Sequence, residues 1–129
     1  MSDKAGKPRR PLHWMGSTKK DVTAFPEPAK RVMGFCLNKL QEGEFDERIE
    51  RMSGDKLKKA NVVEIRDNYD GDTFRTVAAI RFPEAIYVLH AFKKKSHQSK
   101  KTPQREVDTI LKRLADLNAM RKNKGLHHE

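Results

Sequence analysis

Cys36 is the only cysteine, which excludes an intrachain disulfide and any zinc site built on paired thiolates. Long apolar runs are missing too. Nothing ahead of Leu12 has the length of a signal-peptide core, and no stretch approaches the roughly 20 residues of a membrane-spanning helix. A reducing, cytoplasmic setting without a membrane partner is therefore expected. The chain also lacks a phosphate-binding glycine loop, a serine-centred nucleophile elbow and a histidine pair at metal spacing within a helix. The acidic turn Asn68-Tyr69-Asp70-Gly71-Asp72 is no calcium loop, because counting from Gly71 puts Arg66 at the first ligand position and Val77 at the last. His127-His128 lie in the tail and read as incidental. Neither a metal nor a cofactor is expected.

What the chain has in excess is positive charge. Lys+Arg number 28 against 18 Asp+Glu, a net +10 over 129 residues, which favours a polyanionic partner such as nucleic acid and says nothing of fold. The length suits one domain with a single core. The excess is clustered: Lys93, Lys94, Lys95, Lys100 and Lys101 have no acid among them before Pro103.

Residues 1–10 are polar, basic and proline-containing, and read as a loose arm. Pro11 to Met15 reads as a short strand ended by Gly16. Ser17 can cap a brief helix through Phe25, and Pro26 and Pro28 then fit the first turn of a second helix. That helix carries the stripe Ala29, Val32, Met33, Phe35, Cys36 and Leu40 and ends at Gly43, so an antiparallel helical hairpin is expected. Gly43 to Lys59 is charged and aperiodic and reads as a loop, with Ile49, Met52 and Leu57 as candidates to pin it to the core.

A three-stranded antiparallel meander follows. Asn61 to Asp67 is its first strand, the Asp70-Gly71 pair its hairpin signal, Thr73 to Phe82 its longest strand and Ala85 to Lys93 its last. Thr102 can cap a final helix with Pro103 at its first position, and Val107, Ile110, Leu111, Leu114 and Leu117 recur at helical spacing. The packed domain is expected over 11–120, with 121–129 a frayed basic tail. The class is α+β.

Alternation in the long strand sets Phe74, Thr76, Ala78, Ile80 and Phe82 against the helices and turns Arg75 and Arg81 to an opposite, more open face. Arg66 on the neighbouring strand can join them. Guanidinium groups on a rigid sheet can hold a phosphate bidentately; the plainer reading makes them strand arginines paired with Glu64 or Asp67, and Arg81 is read that way. The lysines at the end of the last strand are either a solvated run or the rim of an anion site, which Lys58 and Lys59 can complete from the far side. His90 suits acid–base work on a ribose hydroxyl, yet a histidine inside an apolar strand is more often a satisfied core or edge residue than a catalyst. Alternation groups His90 with Val88 and Phe92, apart from Lys93, unless a bulge intervenes. Trp14 and Phe92 can stack a base, with Trp14 read as core.

The strings Leu12-His13-Trp14-Met15-Gly16-Ser17, Glu64-Ile65-Arg66, Tyr69-Asp70-Gly71-Asp72-Thr73-Phe74-Arg75 and Tyr87-Val88-Leu89-His90-Ala91-Phe92-Lys93-Lys94-Lys95-Ser96 with Lys101-Thr102-Pro103 occur in one order. Together with the sequence of elements they resemble the RelE/ParE toxin superfamily in its phage-related HigB-like branch. The resemblance implies a small RelE-like fold and a type II toxin: a ribosome-dependent endoribonuclease on mRNA, metal-independent, held in check by an antitoxin that often carries a helix-turn-helix. It also implies site residues. Arg75 matches the central-strand arginine, Lys93 to Lys95 match the basic end of the last strand, and Arg66 and His90 match the branch pattern. Where RelE members have a tyrosine near the last helix, this chain has Gln104, Arg105 and Glu106, so no acid or base is named. The alternatives are a ParE-like inhibitor of gyrase and a basic RNA-binding domain without catalysis.

Overall fold

Asp70 and Gly71 both take positive φ, 52° and 82°, the two-residue turn whose twist matches paired strands. In the computed structural model, which describes residues 9–95 and 101–126, this turn joins β3 (Val62–Tyr69) to β4 (Asp72–Ala79), with Tyr69 opposite Asp72. β5 (Ile86–Lys95) returns antiparallel to β4 and completes the expected meander. β1 (Leu12–Trp14) adds to the outer edge of β5 in parallel, with Leu12 opposite Ile86. At the other edge lies β2 (Ile49–Arg51), antiparallel to β3, so the sheet order is β1-β5-β4-β3-β2.

Three helices beside the final one complete an α+β fold with the layout of a small RelE-like domain: α1 (Thr18–Thr23), α2 (Glu27–Gln41) and α3 (Asp55–Lys59), then α4 (Gln104–Asn123). The stretch from Gly43 to Lys59 is thus not a bare loop. Its aperiodic charge concealed β2 and α3, because an edge strand of three residues and a five-residue helix are too short to print a period. Ile49 and Leu57 do bury there. In α2 the stripe holds at Ala29, Met33, Cys36 and Leu40 but exchanges one member: Leu37 is buried, while Phe35 is 49% exposed with the Lys39 ammonium over its ring. Gly43 closes α2 as expected, with the Gly43 and Glu44 amides donating to the carbonyls of Leu40 and Lys39.

The sheet is covered on both faces. Ala29, Met33, Cys36, Leu37 and Leu40 of α2 pack on Val63, Ile65, Phe74, Ala78 and Val88. On the reverse, Ile110, Leu114 and Leu117 of α4 and Leu57 of α3 pack on Val62, Val77, Ala79, Leu89 and Phe92. The face expected to be open is therefore roofed by α4. Regular strand ends at Ala79, so Ile80 keeps to the α2 side but Phe82 crosses to the α4 side.

A bulge sits between β4 and β5. Val77 faces His90 but Ala78 faces Val88, leaving Leu89 as the extra residue. Val88 belongs to the α2-side core and Leu89 to the α4-side core, while His90 reaches side chains of α4. Gly16, at φ 56°, lies so close to the Arg113 guanidinium of α4 that a Cβ there would stand 2.9 Å from its carbon. The positive φ favours glycine in the β1–α1 turn, and a larger residue there would have to displace the Arg113 guanidinium.

The two ends are better fastened than their composition suggests. Arg10 donates to the carbonyls of Ile80 and Phe82 at 2.7 and 3.0 Å, and Gln41 donates back to the Arg10 carbonyl; the rest of the arm lies outside the described residues. α4 continues past Met120 to Asn123 and closes on Gly125, with the Leu126 amide bonded to the Arg121 carbonyl at 2.8 Å. Arg121 is buried, grips both carboxylate oxygens of Glu84 at 2.6 and 3.1 Å and stacks on Phe82 at 3.9 Å. The Tyr87 hydroxyl donates to the same carboxylate at 2.7 Å.

Hydrogen bonds from Arg121, above all, and from Tyr87 hold the Glu84 carboxyl down at about 2, from a usual 4.5. A depressed acid contributes stability that is complete above its unfolded pKa and is lost as pH falls through the folded one. Unfolding free energy should accordingly decline between pH 4.5 and about 2. Glu84→Gln should cost about 2–3 kcal/mol at neutral pH and flatten that part of the acid limb, as read by urea titrations over the pH range.

Candidate active site: a carboxylate between two arginines

Register assembles the site. Arg66 stands opposite Arg75, and Arg75 opposite Phe92; one step along, Glu64 stands opposite Val77, and Val77 opposite His90; on the other side Thr73 faces both Asn68 and Lys94. Since side chains two apart share a face, Glu64, Arg66, Arg75, His90, Phe92 and Lys94 all project toward α4. Lys93 and Lys95 project away, and both lie near Asp72, at 3.9 and 3.6 Å.

Glu64 is the hub. Its Oε1 accepts from Arg66 Nε at 2.8 Å, and its Oε2 accepts from Arg75 Nη1 at 3.5 Å and from the Thr102 hydroxyl at 3.2 Å. The Thr102 oxygen in turn accepts from Arg75 Nη1 at 3.3 Å. Thr102 was expected to cap α4; Pro103 occupies the cap position, and the threonine side chain is turned to the sheet. The Arg75 side chain is only 3% exposed, with its guanidinium 5.9 Å from the centre of the Phe92 ring. Burial, and after it the repulsion of Arg66, lowers the Arg75 pKa against the pull of Glu64. Arg66 is more open and also approaches Glu50 at 3.5 Å.

Lys94 completes the cations on this side. Its ammonium donates to the Lys101 carbonyl at 3.1 Å. Desolvation, followed by the nearby charges of Arg75 and Arg66, lowers its pKa, which makes it a readier proton donor than a free lysine. A cleft of 310 Å³ opens beside the cluster, with Glu50, Glu64, Arg66, Lys101 and Thr102 in its wall.

The other expected residues fall elsewhere. Lys93 borders a different hollow, of 590 Å³, with Phe25, Tyr69 and Phe74 on the α2 side. Lys58 lines a hollow with Arg51 and Asn61, and Lys59 lends its carbonyl to Arg81; neither is among the residues of the Arg66 cleft. Lys100 lies outside the described residues. His90 is buried, with Nε2 2.6 Å from Glu106 Oε1, and its ring stacks on Phe92 at 5.2 Å. The expected grouping holds in part: His90 stays with Phe92 and apart from Lys93, the bulge parts it from Val88, and the lysine that joins it on the Arg75 side is Lys94.

Beyond their places in the resembling strings, Glu64 reads from the sequence as an ion-pair partner and Thr102 as a cap. The available signal was the spacing of Glu64 and Arg66, which puts both on one face of a strand, but their position opposite Arg75 required the register. Among the described residues no three His, Cys, Asp or Glu side chains gather as a metal ion would need, and no helix is long and apolar enough to cross a membrane.

A five-stranded, mostly antiparallel sheet of this order closed by a C-terminal helix is consistent with a small RelE-like domain. The chain matches the family model described as phage derived protein Gp49-like (DUF891) over residues 20–115. It belongs to that family, a toxin family of the RelE kind whose members generally pair with an antitoxin. The matched span contains every residue of the cluster. No curated protein and no solved structure matches the chain.

Removing one partner from a buried ion pair strands the other charge and costs about 3–5 kcal/mol, whereas exchanging both for apolar groups is often neutral. Glu64→Leu should therefore be strongly destabilising by chemical denaturation. Adding Arg75→Met to it should recover at least half of the loss.

Proposed function

We propose that the chain is the toxin of a type II toxin–antitoxin pair, of the HigB-like branch, and that it is a ribosome-dependent endoribonuclease cutting mRNA in the cytoplasm. The observation that carries this reading is the convergence of Arg66, Arg75 and Lys94 on the Glu64 carboxylate at the edge of an open cleft. A phosphodiester entering there would share the guanidinium groups with Glu64, and Arg75 and Arg66 would stabilise the charge that builds on phosphorus. The ribose 2′-oxygen attacks the adjacent phosphorus as its proton passes to Glu64. The bond from phosphorus to the 5′-oxygen breaks, and Lys94 protonates the departing oxygen. The products are a 2′,3′-cyclic phosphate and a 5′-hydroxyl end.

Side chains supply every group in this scheme, so no metal or cofactor is invoked. Lys101 beside the cleft and the lysines Lys93, Lys95 and Lys100 would seat ribosomal RNA and mRNA through phosphate contacts, which fix position without reading sequence; Lys58 and Lys59 would extend that footprint onto α3. A shallow cleft orients a flexible RNA poorly, so cutting should be weak on free RNA and fast where the decoding site holds the substrate in line. An antitoxin, of the kind that carries a helix-turn-helix, would be the second protein partner.

Mapping mRNA 5′ ends in a translating extract tests the reading. The wild type should produce codon-phased cuts only when ribosomes are present, and Arg75→Ala should lower the cleavage rate by about 10²–10³-fold, the usual scale for losing a donor to a developing oxyanion. Intact mRNA together with impaired supercoiling would discard the nuclease in favour of a gyrase inhibitor.

A further inference from the structure

His90 is held from both ends by α4. Glu106 Oε1 lies 2.6 Å from its Nε2, and Arg113 Nη1 lies 3.4 Å from its Nδ1 while donating to the Leu89 carbonyl at 2.9 Å. Glu106 and Arg113 are seven positions apart, two turns of helix, and so share one face. A guanidinium can only donate, so Nδ1 is the acceptor and Nε2 carries the proton that goes to Glu106. Both ring nitrogens are thereby committed to α4, and His90 lines none of the clefts described above. The bulge is what allows the grip, because it turns His90 to α4 and presents the Leu89 carbonyl to Arg113. One helical turn ahead of Glu106 stands Thr102, whose hydroxyl bridges Glu64 and Arg75. The Phe92 ring provides a second link, with His90 stacked on it at 5.2 Å and the Arg75 guanidinium 5.9 Å from its centre.

We infer that His90, Glu106 and Arg113 form a latch that fixes the start of α4 on the sheet and so holds Thr102 in register over the Glu64–Arg75 pair. His90 is a positioning residue and takes no part in proton transfer. This inference rests on the nuclease reading for its kinetic consequence, though not for the latch itself. Without the latch the first turn of α4 can lift, Thr102 leaves Glu64 and Arg75, and the two charged groups lose their mutual orientation. The seating lysines away from Thr102, Lys93 and Lys95 beside Asp72, are not disturbed. A fall in kcat at nearly constant KM is the resulting signature.

The test compares Glu106→Ala, Glu106→Gln, Thr102→Val and the double variant Glu106→Ala/Thr102→Val on ribosome-bound mRNA. Glu106→Ala should lower kcat about tenfold with KM within about twofold, and Glu106→Gln, whose amide oxygen still accepts from Nε2, should restore it. If the latch acts through Thr102, the double variant should be no slower than the worse single variant; losses that multiply, or a Glu106→Gln as slow as the alanine, overturn the proposal. Amide exchange over residues 106 to 110 gives a readout independent of cleavage: it should quicken in Glu106→Ala and not in Glu106→Gln. If the wild type leaves ribosome-bound mRNA intact, the nuclease reading fails by itself. The latch then stands or falls on exchange, and unchanged rates in Glu106→Ala overturn it.

Discussion

Arg75 lies in the centre of the sheet under a helix, and a guanidinium taken out of water has to be answered by an anion. Glu64 is that anion, and its second oxygen is in turn shared with Arg66. The cost of desolvating such a group is several kcal/mol when it stands alone, and good geometry with further hydrogen bonds is what offsets it. The demand propagates outward. Glu64 must face Val77 so that it sits diagonally from Arg75, which sets the β3–β4 register, and Thr102 must come down onto both groups, which sets where α4 begins.

The bulge in β5 is the second constraint, and it is tied to the first. A strictly alternating strand would turn His90 to the α2 side with Val88 and align Lys93 with the Arg75 face. One extra residue at Leu89 exchanges those places: His90 meets α4, and Lys94 comes to the cations. Desolvation, and after it the nearby charges of Arg75 and Arg66, disfavours the charged form of Lys94. Arrangements of this kind are common where charge will be handled during a reaction, and they are costly as mere scaffolding.

Opposite ends of the domain show the same economy with a different outcome. Glu84 and Arg121 also form a paired acid and base, but they lie against Phe82 and Tyr87 at the far end of α4, with the ion pair completed by both nitrogen contacts and a phenol. That pair ties the last turn of α4 to the β4–β5 connection. With the latch near Glu106 and the ion pair at Arg121, the helix is held to the sheet at both of its ends, and its apolar residues Ile110, Leu114 and Leu117 fill the space between.

Local chemistry was readable from the chain itself. Asp70-Gly71 adopts its turn because few other pairs tolerate positive φ twice in succession, Pro26 and Pro28 start α2 because a missing amide is harmless there, and the stripe on α4 repeats over enough turns to be unmistakable. Positive charge, and a basic end to the last strand, were equally plain. The short β2 and α3 were not, since neither is long enough to carry a period. Nor was the burial of Arg75 and Arg121, because a charged side chain reads as surface until its partner is known, and Glu64 and Glu84 are 11 and 37 positions away along the chain. Which lysine joins the arginines was decided by a single inserted residue at Leu89, a matter of pairing between strands that no local pattern encodes. The sequence by itself determined the elements and the sign of the charge, which depend on neighbours a few residues apart. Only the tertiary structure decided which charges meet, because that depends on register and on what α4 covers.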